Sequence, residues 1–191
     1  MKKIFLILIL FLGSINILNA ETNRIMAGNK DAKITIIAYE SLTCSHCADF
    51  HKNIYPQLKK DFIDTGLAKI EFRHFPLDVA AFNASKITQC KSNQSLKILN
   101  SLYSNQQRWV KGSTVEEINE NLKKFLKNEG FELNFDKCIN DKDVEDYILN
   151  DRIEGTKKFK VNATPTIIIN DKKFEKTLNY KNLKKTLEKL I

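Results

Sequence analysis

The sequence predicts an α/β fold interrupted by an all-helical insertion. Three observations carry this: a strand, helix, strand order over residues 33–75, a purely helical pattern from Leu77 to about Phe159, and a strand pair with a closing helix after Pro165. A strand, a helix and a second strand in immediate succession suggest a parallel βαβ unit. The 191 residues suffice for one domain with an inserted subdomain. The expected division is residues 1–20 as a leader, 21–76 and 160–191 as the α/β domain, and 77–159 as the insertion.

Lys2 and Lys3 precede an unbroken apolar run, Ile4 to Leu12, and a weaker stretch that ends Leu18-Asn19-Ala20. This reads as a cleaved signal peptide, with a charged start, an apolar middle and a small residue at the cut. The apolar segment falls short of the roughly 20 residues that a spanning helix needs. Leu18 stands where a small residue is expected, which keeps an uncleaved anchor as the alternative. Cleavage leaves 171 residues at a net charge of +6, exported to an oxidising compartment where cysteines pair.

Lys33 to Tyr39 is β-branched and mostly apolar, bounded by an Asn29-Lys30-Asp31 turn, and so predicts a buried strand. A helix follows, with Thr43 as its expected N-cap; Phe50, Ile54, Leu58 and Phe62 recur at helical spacing and Pro56 is expected to kink it. Gly66 closes that helix, and Ala68 to Phe75 alternates as a second strand ended by Pro76. The insertion shows apolar residues at helical period, including Ile87, Leu99, Leu122, Phe125 and Ile148, with a capping box expected from Ser113 or Thr114 with Glu116 or Glu117. Beyond it, Thr166 to Ile169 predicts a strand, Asn170-Asp171 a two-residue turn, Lys173 to Lys176 a returning strand, and Tyr180 to Leu190 an amphipathic helix.

Composition excludes several classes. Hydrophobic residues at 42% and charged residues at 28%, with 6 Gly and 3 Pro, describe a globular chain rather than a linker or disordered one. The net charge of +8 rests on 27 Lys and only 4 Arg, dispersed among 23 acidic residues and 19 Asn. Arginine is the residue that reads phosphate and guanine in a planar fork, so the pattern is a solvated surface and no nucleic-acid partner is expected.

The chemistry concentrates at Cys44-Ser45-His46-Cys47, where the first strand meets its helix. Backbone N–H groups and the helix dipole at such an N-terminus favour an anion, so Cys44 is expected to be a stabilised thiolate and the attacking sulfur. Cys47, one turn on, has the placement of a resolving thiol. His46 can add charge or a hydrogen bond to the thiolate, stabilising the reduced form and making the disulfide a stronger oxidant. An inert disulfide and a metal site are the competing readings. A second Cys-x-x-Cys is missing, so the common four-cysteine zinc pattern fails; a site of Cys44, Cys47 and His46, joined by His51, is the metal version.

Cys90 and Cys138, separated by 47 residues, fall in the insertion. Four cysteines allow three connectivities, and the role given to Cys44 and Cys47 leaves a Cys90–Cys138 structural disulfide, with two buried free thiols as the alternative. Closing that loop would contribute about 4 kcal/mol in the chain-entropy model.

Four segments together carry a resemblance: Tyr39 to Cys47, Arg73-His74-Phe75-Pro76-Leu77-Asp78, Gln106 to Val110 with Trp109, and Ala163-Thr164-Pro165-Thr166. Over nearly all of residues 24–191 the chain resembles the exported DsbA family of thiol:disulfide oxidoreductases, a thioredoxin fold with an inserted helical domain. The resemblance implies Cys44 as the nucleophile, Cys47 as its partner and His46 as the tuning residue. It implies Thr164 with a cis-Pro165 as the edge on which substrate peptides pair. It further implies periplasmic location, reduced or unfolded exported proteins as substrates, and a quinone-linked membrane reoxidant of the DsbB type, with no cofactor and no metal. A monomer is expected, because the first strand follows the leader within about a dozen residues. A reductase or isomerase of the same fold is the alternative function.

Two departures stand out. Ser45 occupies the place of the family's usual proline. Many members hold a buried glutamate six residues before the first cysteine, which is Ala38 here, while Glu40 stands four before it. Both point to the same face of a strand, so Glu40 could partly replace that residue as a proton relay for Cys47, although an exposed surface glutamate is the first expectation. His51 and His74 are expected to be packing or surface residues, and Trp109 to anchor the core of the insertion.

Overall fold

The computed structural model describes residues 24–191. The leader expected over residues 1–20 lies outside the described residues, among which no helix is long and apolar enough to cross a membrane. The strands are β1 (Ile25–Ala27), β2 (Ile34–Glu40), β3 (Ala68–His74), β4 (Thr166–Ile169) and β5 (Lys172–Lys173). They form one sheet in the order β1-β3-β2-β4-β5. β2 and β3 run parallel, with Ile36 opposite Ile70 and Glu40 opposite His74, and the other pairs are antiparallel.

β2 is central and buried on both faces, which is why it reads as a continuous apolar run. Ile34, Ile36 and Ala38 face the main core with Ile70, Phe72, Ile167 and Ile169. Ile37 and Tyr39 face a smaller cluster with Phe75, Phe159, Val161 and Ile168. β1 is absent from the sequence expectation; at three residues it is too short to show an alternating pattern, and its pairing with β3 defines it.

One helical run carries the chain from Ser45 to Ile63: α1 (Ser45–Asp49), a π-helical turn (Phe50–Ile54), α2 (Tyr55–Leu58) and a second π-helical turn (Lys59–Ile63). Pro56 lacks an N–H and its ring crowds the carbonyl four residues back, and the wide turn before it accommodates both. The insertion comprises α3 (Val79–Gln89), α4 (Ser95–Ser104), α5 (Gln106–Trp109), α6 (Val115–Asn128), α7 (Phe135–Ile139) and α8 (Lys142–Phe159), and α9 (Tyr180–Leu187) closes the chain. Thr114 and Glu117 form the capping box: the Thr114 hydroxyl accepts from the Glu117 N–H at 3.2 Å and the Glu117 carboxylate accepts from the Ser113 N–H at 2.6 Å. The main core is continuous across the junction, since Trp109, Leu122, Phe125 and Cys138 belong to the same buried cluster as Ile36 and Phe72.

The β4–β5 turn uses Asn170 (φ 44°) and Asp171 (φ 62°), both left-handed, as a tight hairpin requires. The returning strand differs from the expected Lys173 to Lys176: pairing starts at Lys172, and Phe174 donates the last ladder bond to the Ile167 carbonyl at 2.9 Å. A two-residue turn places Lys172 directly opposite Ile169, so the strand starts one residue earlier than expected and ends at Lys173, short of the expected Lys176.

α8 crosses the second face of the sheet at Gly155, where an added Cβ would stand 2.8 Å from the fully buried Tyr39 ring. The helix sits that close because Gly155 presents no side chain. Gly155→Ala should therefore lower stability by about 1–3 kcal/mol through overpacking, read as a lower urea midpoint at unchanged slope.

Candidate active site

The C-terminal end of β2 delivers Cys44 to the start of α1, where it serves as the N-cap with extended backbone (φ −76°, ψ 121°). The expected capping by Thr43 is not realised. Its hydroxyl instead donates to the Asp78 carboxylate at 2.6 Å, and Asp78 caps α3 by accepting from the Ala81 N–H at 2.7 Å. The Ser41 hydroxyl accepts from the Leu77 N–H at 3.2 Å. Gln106, from α5, donates to the carbonyls of Leu42 at 2.8 Å and Cys44 at 3.0 Å. The loop that presents the cysteines is thus held by three side-chain ties, all of them to residues of the 77–159 stretch.

Cys44 is half-buried and Cys47 fully buried, both as free thiols. The Cys44 thiol is pushed down to about 5, first by the hydrogen bond from the Cys47 thiol, against the opposing effect of burial, and with further help from the Thr164 hydroxyl and the backbone N–H groups of Cys47 and His46. Burial pushes the Cys47 thiol well above its ordinary range, and the neighbouring Cys44 and Glu40 charges push the same way. One sulfur is therefore a ready thiolate at neutral pH and the other a protonated partner.

Thr164 and Pro165 face this pair across the site. Their peptide bond is cis, and the Thr164 carbonyl accepts from the Cys44 thiol at 3.4 Å. The Thr164 hydroxyl, otherwise without a hydrogen-bond partner among the described residues, also faces the sulfur. Ser45 and His46 are exposed. His46, Phe50, Thr164, Pro165 and Leu178 line a groove of about 310 Å³ beside the sulfur. His46 offers its backbone N–H to Cys44 and lines the groove.

Glu40 departs from the first expectation. It is 3% exposed, because alternation along β2 turns it to the core face that Ala38 and Ile36 share. His51, one turn beyond Cys47, meets it there, with Nε2 at 2.9 Å from Glu40 Oε2. Burial raises the Glu40 carboxyl above the usual carboxylate range, against the stabilising charge and hydrogen bond of His51. His51 is buried too, stacked on Tyr103 of α4 with ring centroids 4.0 Å apart and tilted against Phe72 at 5.2 Å. His51 Nε2 is thus engaged with Glu40. His74 is likewise buried; its Nε2 accepts from the Gln89 side-chain amide at 3.1 Å, and burial pushes its pKa down to about 3, which keeps it neutral.

Cys90 and Cys138 lie away from this site, joined by a disulfide between α3 and α7 with Cα atoms 5.4 Å apart. Sequence reasoning missed the Glu40–His51 pair and the reach of Gln106. The Glu40 face was legible from strand period, but the partner arrives only when the helix folds back over the sheet.

A thioredoxin family model matches residues 20–189. The structure resembles that of alpha-DsbA1 from Wolbachia pipientis, with a TM-score of 0.78 and 30% identity, covering 88% of this chain and 90% of that one. In sequence, the chain is 28% identical over 172 residues to disulfide bond formation protein D of Bacillus subtilis, covering 85% of this chain and 74% of that protein. It is also 28% identical over 152 residues to a Rickettsia bellii protein named as a protein-disulfide oxidoreductase, covering 78% of this chain but only 58% of that longer relative.

Proposed function

Because the chain belongs to the thioredoxin family, we propose that it is a DsbA-like protein thiol:disulfide oxidoreductase that works as an oxidase through its Cys44-Ser45-His46-Cys47 site. The observation that carries this reading is the asymmetry of the two sulfurs: a half-buried Cys44 held as a thiolate at neutral pH, with a buried, protonated Cys47 behind it. Stabilising the thiolate stabilises the reduced protein, so the disulfide is the more readily given up.

In the oxidised protein a substrate thiolate attacks the Cys44 sulfur. The bond to Cys47 breaks, a mixed disulfide forms through Cys44, and Cys47 leaves as a thiolate that must take up a proton. A second substrate thiolate then attacks the substrate sulfur of the mixed disulfide and releases the Cys44 thiolate. The substrate loses two electrons and the protein gains two. Glu40 is the proton relay for Cys47. Thr164 and Pro165, with the groove beside them, present the edge on which the substrate chain lies during both steps.

Reduced exported proteins are the substrates, a quinone-linked membrane protein of the DsbB type is the reoxidant, and the periplasm is the compartment. The leader-like sequence of residues 1–20, read as an export signal, and the Cys90–Cys138 disulfide support this oxidising location. The protein works as a monomer.

The test is the equilibrium potential of the Cys44–Cys47 pair in glutathione buffers, read by alkylation of Cys44. A value near about −120 mV, the DsbA end of the scale, is expected; one near about −270 mV, as in thioredoxin, would overturn the oxidase direction and favour a reductase.

A further inference from the structure

Among the described residues the carboxylate behind Cys47 makes one close hydrogen bond, to His51, while the Tyr103 hydroxyl faces it from α4 as a weaker donor. Glu40 Oε2 lies 2.9 Å from His51 Nε2, whereas Glu40 Oε1 is buried and has no hydrogen-bond partner among the described residues. A buried carboxylate oxygen without a close donor is costly, and a catalytic role is one of the reasons such a group is retained. His51 is itself fixed. Its ring lies between Tyr103 of α4 at 4.0 Å and Phe72 of β3 at 5.2 Å, with Phe50 meeting its edge at 5.6 Å. It therefore has little freedom to turn away from Glu40.

We infer that His51 is a positioning residue: by binding one oxygen of Glu40 it holds the carboxylate in place and leaves the other oxygen to exchange a proton with Cys47. This deepens the oxidoreductase reading and rests on it. When substrate displaces Cys47 as a thiolate, the proton passes from Glu40 to the sulfur. When the dithiol is reoxidised, Cys47 returns it to Glu40 as its sulfur attacks Cys44. The proton stays within the buried site in both directions, and His51 keeps its bond to the carboxylate throughout. The other titratable groups that face Glu40 are Tyr103 from α4, Tyr55 from α2, and the two cysteines. Burial raises both tyrosines, and neither competes for the proton at neutral pH.

The decisive step is isolated by mixing the reduced protein with oxidised glutathione. First the Cys44 thiolate breaks the glutathione disulfide, forming a mixed disulfide and releasing one glutathione thiolate. Then Cys47, giving its proton to Glu40, attacks the Cys44 sulfur and expels the second. His51→Phe, which keeps an aromatic ring on Tyr103 but cannot bind Glu40, should slow the second step about tenfold at pH 7, and His51→Gln, which keeps a donor, should return it to within about threefold of the parent rate. The first step should be unchanged in both. The acid limb of the second step's pH profile should also move to higher pH in His51→Phe, since a carboxylate deprived of its donor holds its proton longer. Should His51→Phe not fold, His51→Asn, polar but too short to reach Glu40, takes its place with the same expectation.

A parent-like second step in His51→Phe would overturn the assignment, and so would equal losses in the Phe and Gln variants. Failure of the parent protein to oxidise a reduced protein substrate would instead count against the oxidase reading, and would leave the glutathione comparison readable.

Discussion

Cys44→Ser is expected to abolish disulfide exchange, leaving only the uncatalysed background, whereas Cys47→Ser is expected to trap mixed disulfides with substrate. The two outcomes follow from the different surroundings of the sulfurs. Cys44 is half-buried, faces Thr164 and is pushed down to about 5, while burial keeps Cys47 out of reach and protonated. Cys47 cannot take over the attack. In its absence Cys44 still attacks a disulfide substrate, but nothing in the protein expels what it has bound. Non-reducing electrophoresis after an acid quench distinguishes the two, and adducts of similar abundance in both variants would contradict the assignment.

The same thiolate gives a pH signature. An ordinary thiol of pKa about 8.5 loses reactivity roughly tenfold per unit below that pH. Cys44, lowered from 9.0 to about 5, should alkylate at a nearly constant rate from pH 8 to 6 and slow only as pH falls through about 5. Stability has a matching sign. The folded pKa is depressed, so the stabilisation of the reduced protein is fully present above the ordinary thiol pKa and is lost as pH falls from about 9 to about 5. Cys47 stays neutral in both folded and unfolded chains over most of that window and adds little to the slope. The oxidised protein has no thiolate at this site, so the stability of the reduced form relative to the oxidised form should rise with pH across that window. A difference that does not change with pH would mean that Cys44 is an ordinary thiol.

How far the sequence reveals this site depends on how local each part is. Cys44 and Cys47 lie one turn apart at the end of a strongly patterned strand, so residue type and spacing suffice. Thr164 and Pro165 carry no signal alone; they become meaningful through the cysteine motif and the strand pair that follows. Glu40 and His51 depend on tertiary packing. The period of β2 gives the direction of Glu40, but its burial requires the helix bearing His51 and the insertion helix bearing Tyr103 to close over the same face. Thr43 shows a related limit, because a good capping residue is drawn to Asp78, which arrives from 35 positions away. The parallel unit, the helical insertion and the hairpin turn were legible because period and turn chemistry act over a few residues. β1 and the widened turns around Pro56 were not, since pairing and backbone accommodation define them.

The insertion's hold on the active-site loop leads to a second large effect. Trp109 is fully buried, and its Nε1 donates to the Leu102 carbonyl at 3.0 Å, tying α5 to the helix before it. α5 is only four residues long, too short to persist without tertiary packing. Gln106, at the start of that helix, holds the carbonyls of Leu42 and Cys44. Trp109→Ala should cost about 3–5 kcal/mol, a large part of the 5–15 kcal/mol typical of a whole domain. Trp109→Phe, which keeps a ring but loses the indole donor, should cost about 1–3 kcal/mol and leave the protein folded. Urea unfolding measures both. The milder variant also reports on the site: if α5 positions the loop through Gln106, the alkylation midpoint of Cys44 in Trp109→Phe should move from about 5 toward that of an ordinary thiol. An unmoved midpoint with lowered stability would mean that the loop is held by the Thr43–Asp78 and Ser41–Leu77 bonds alone.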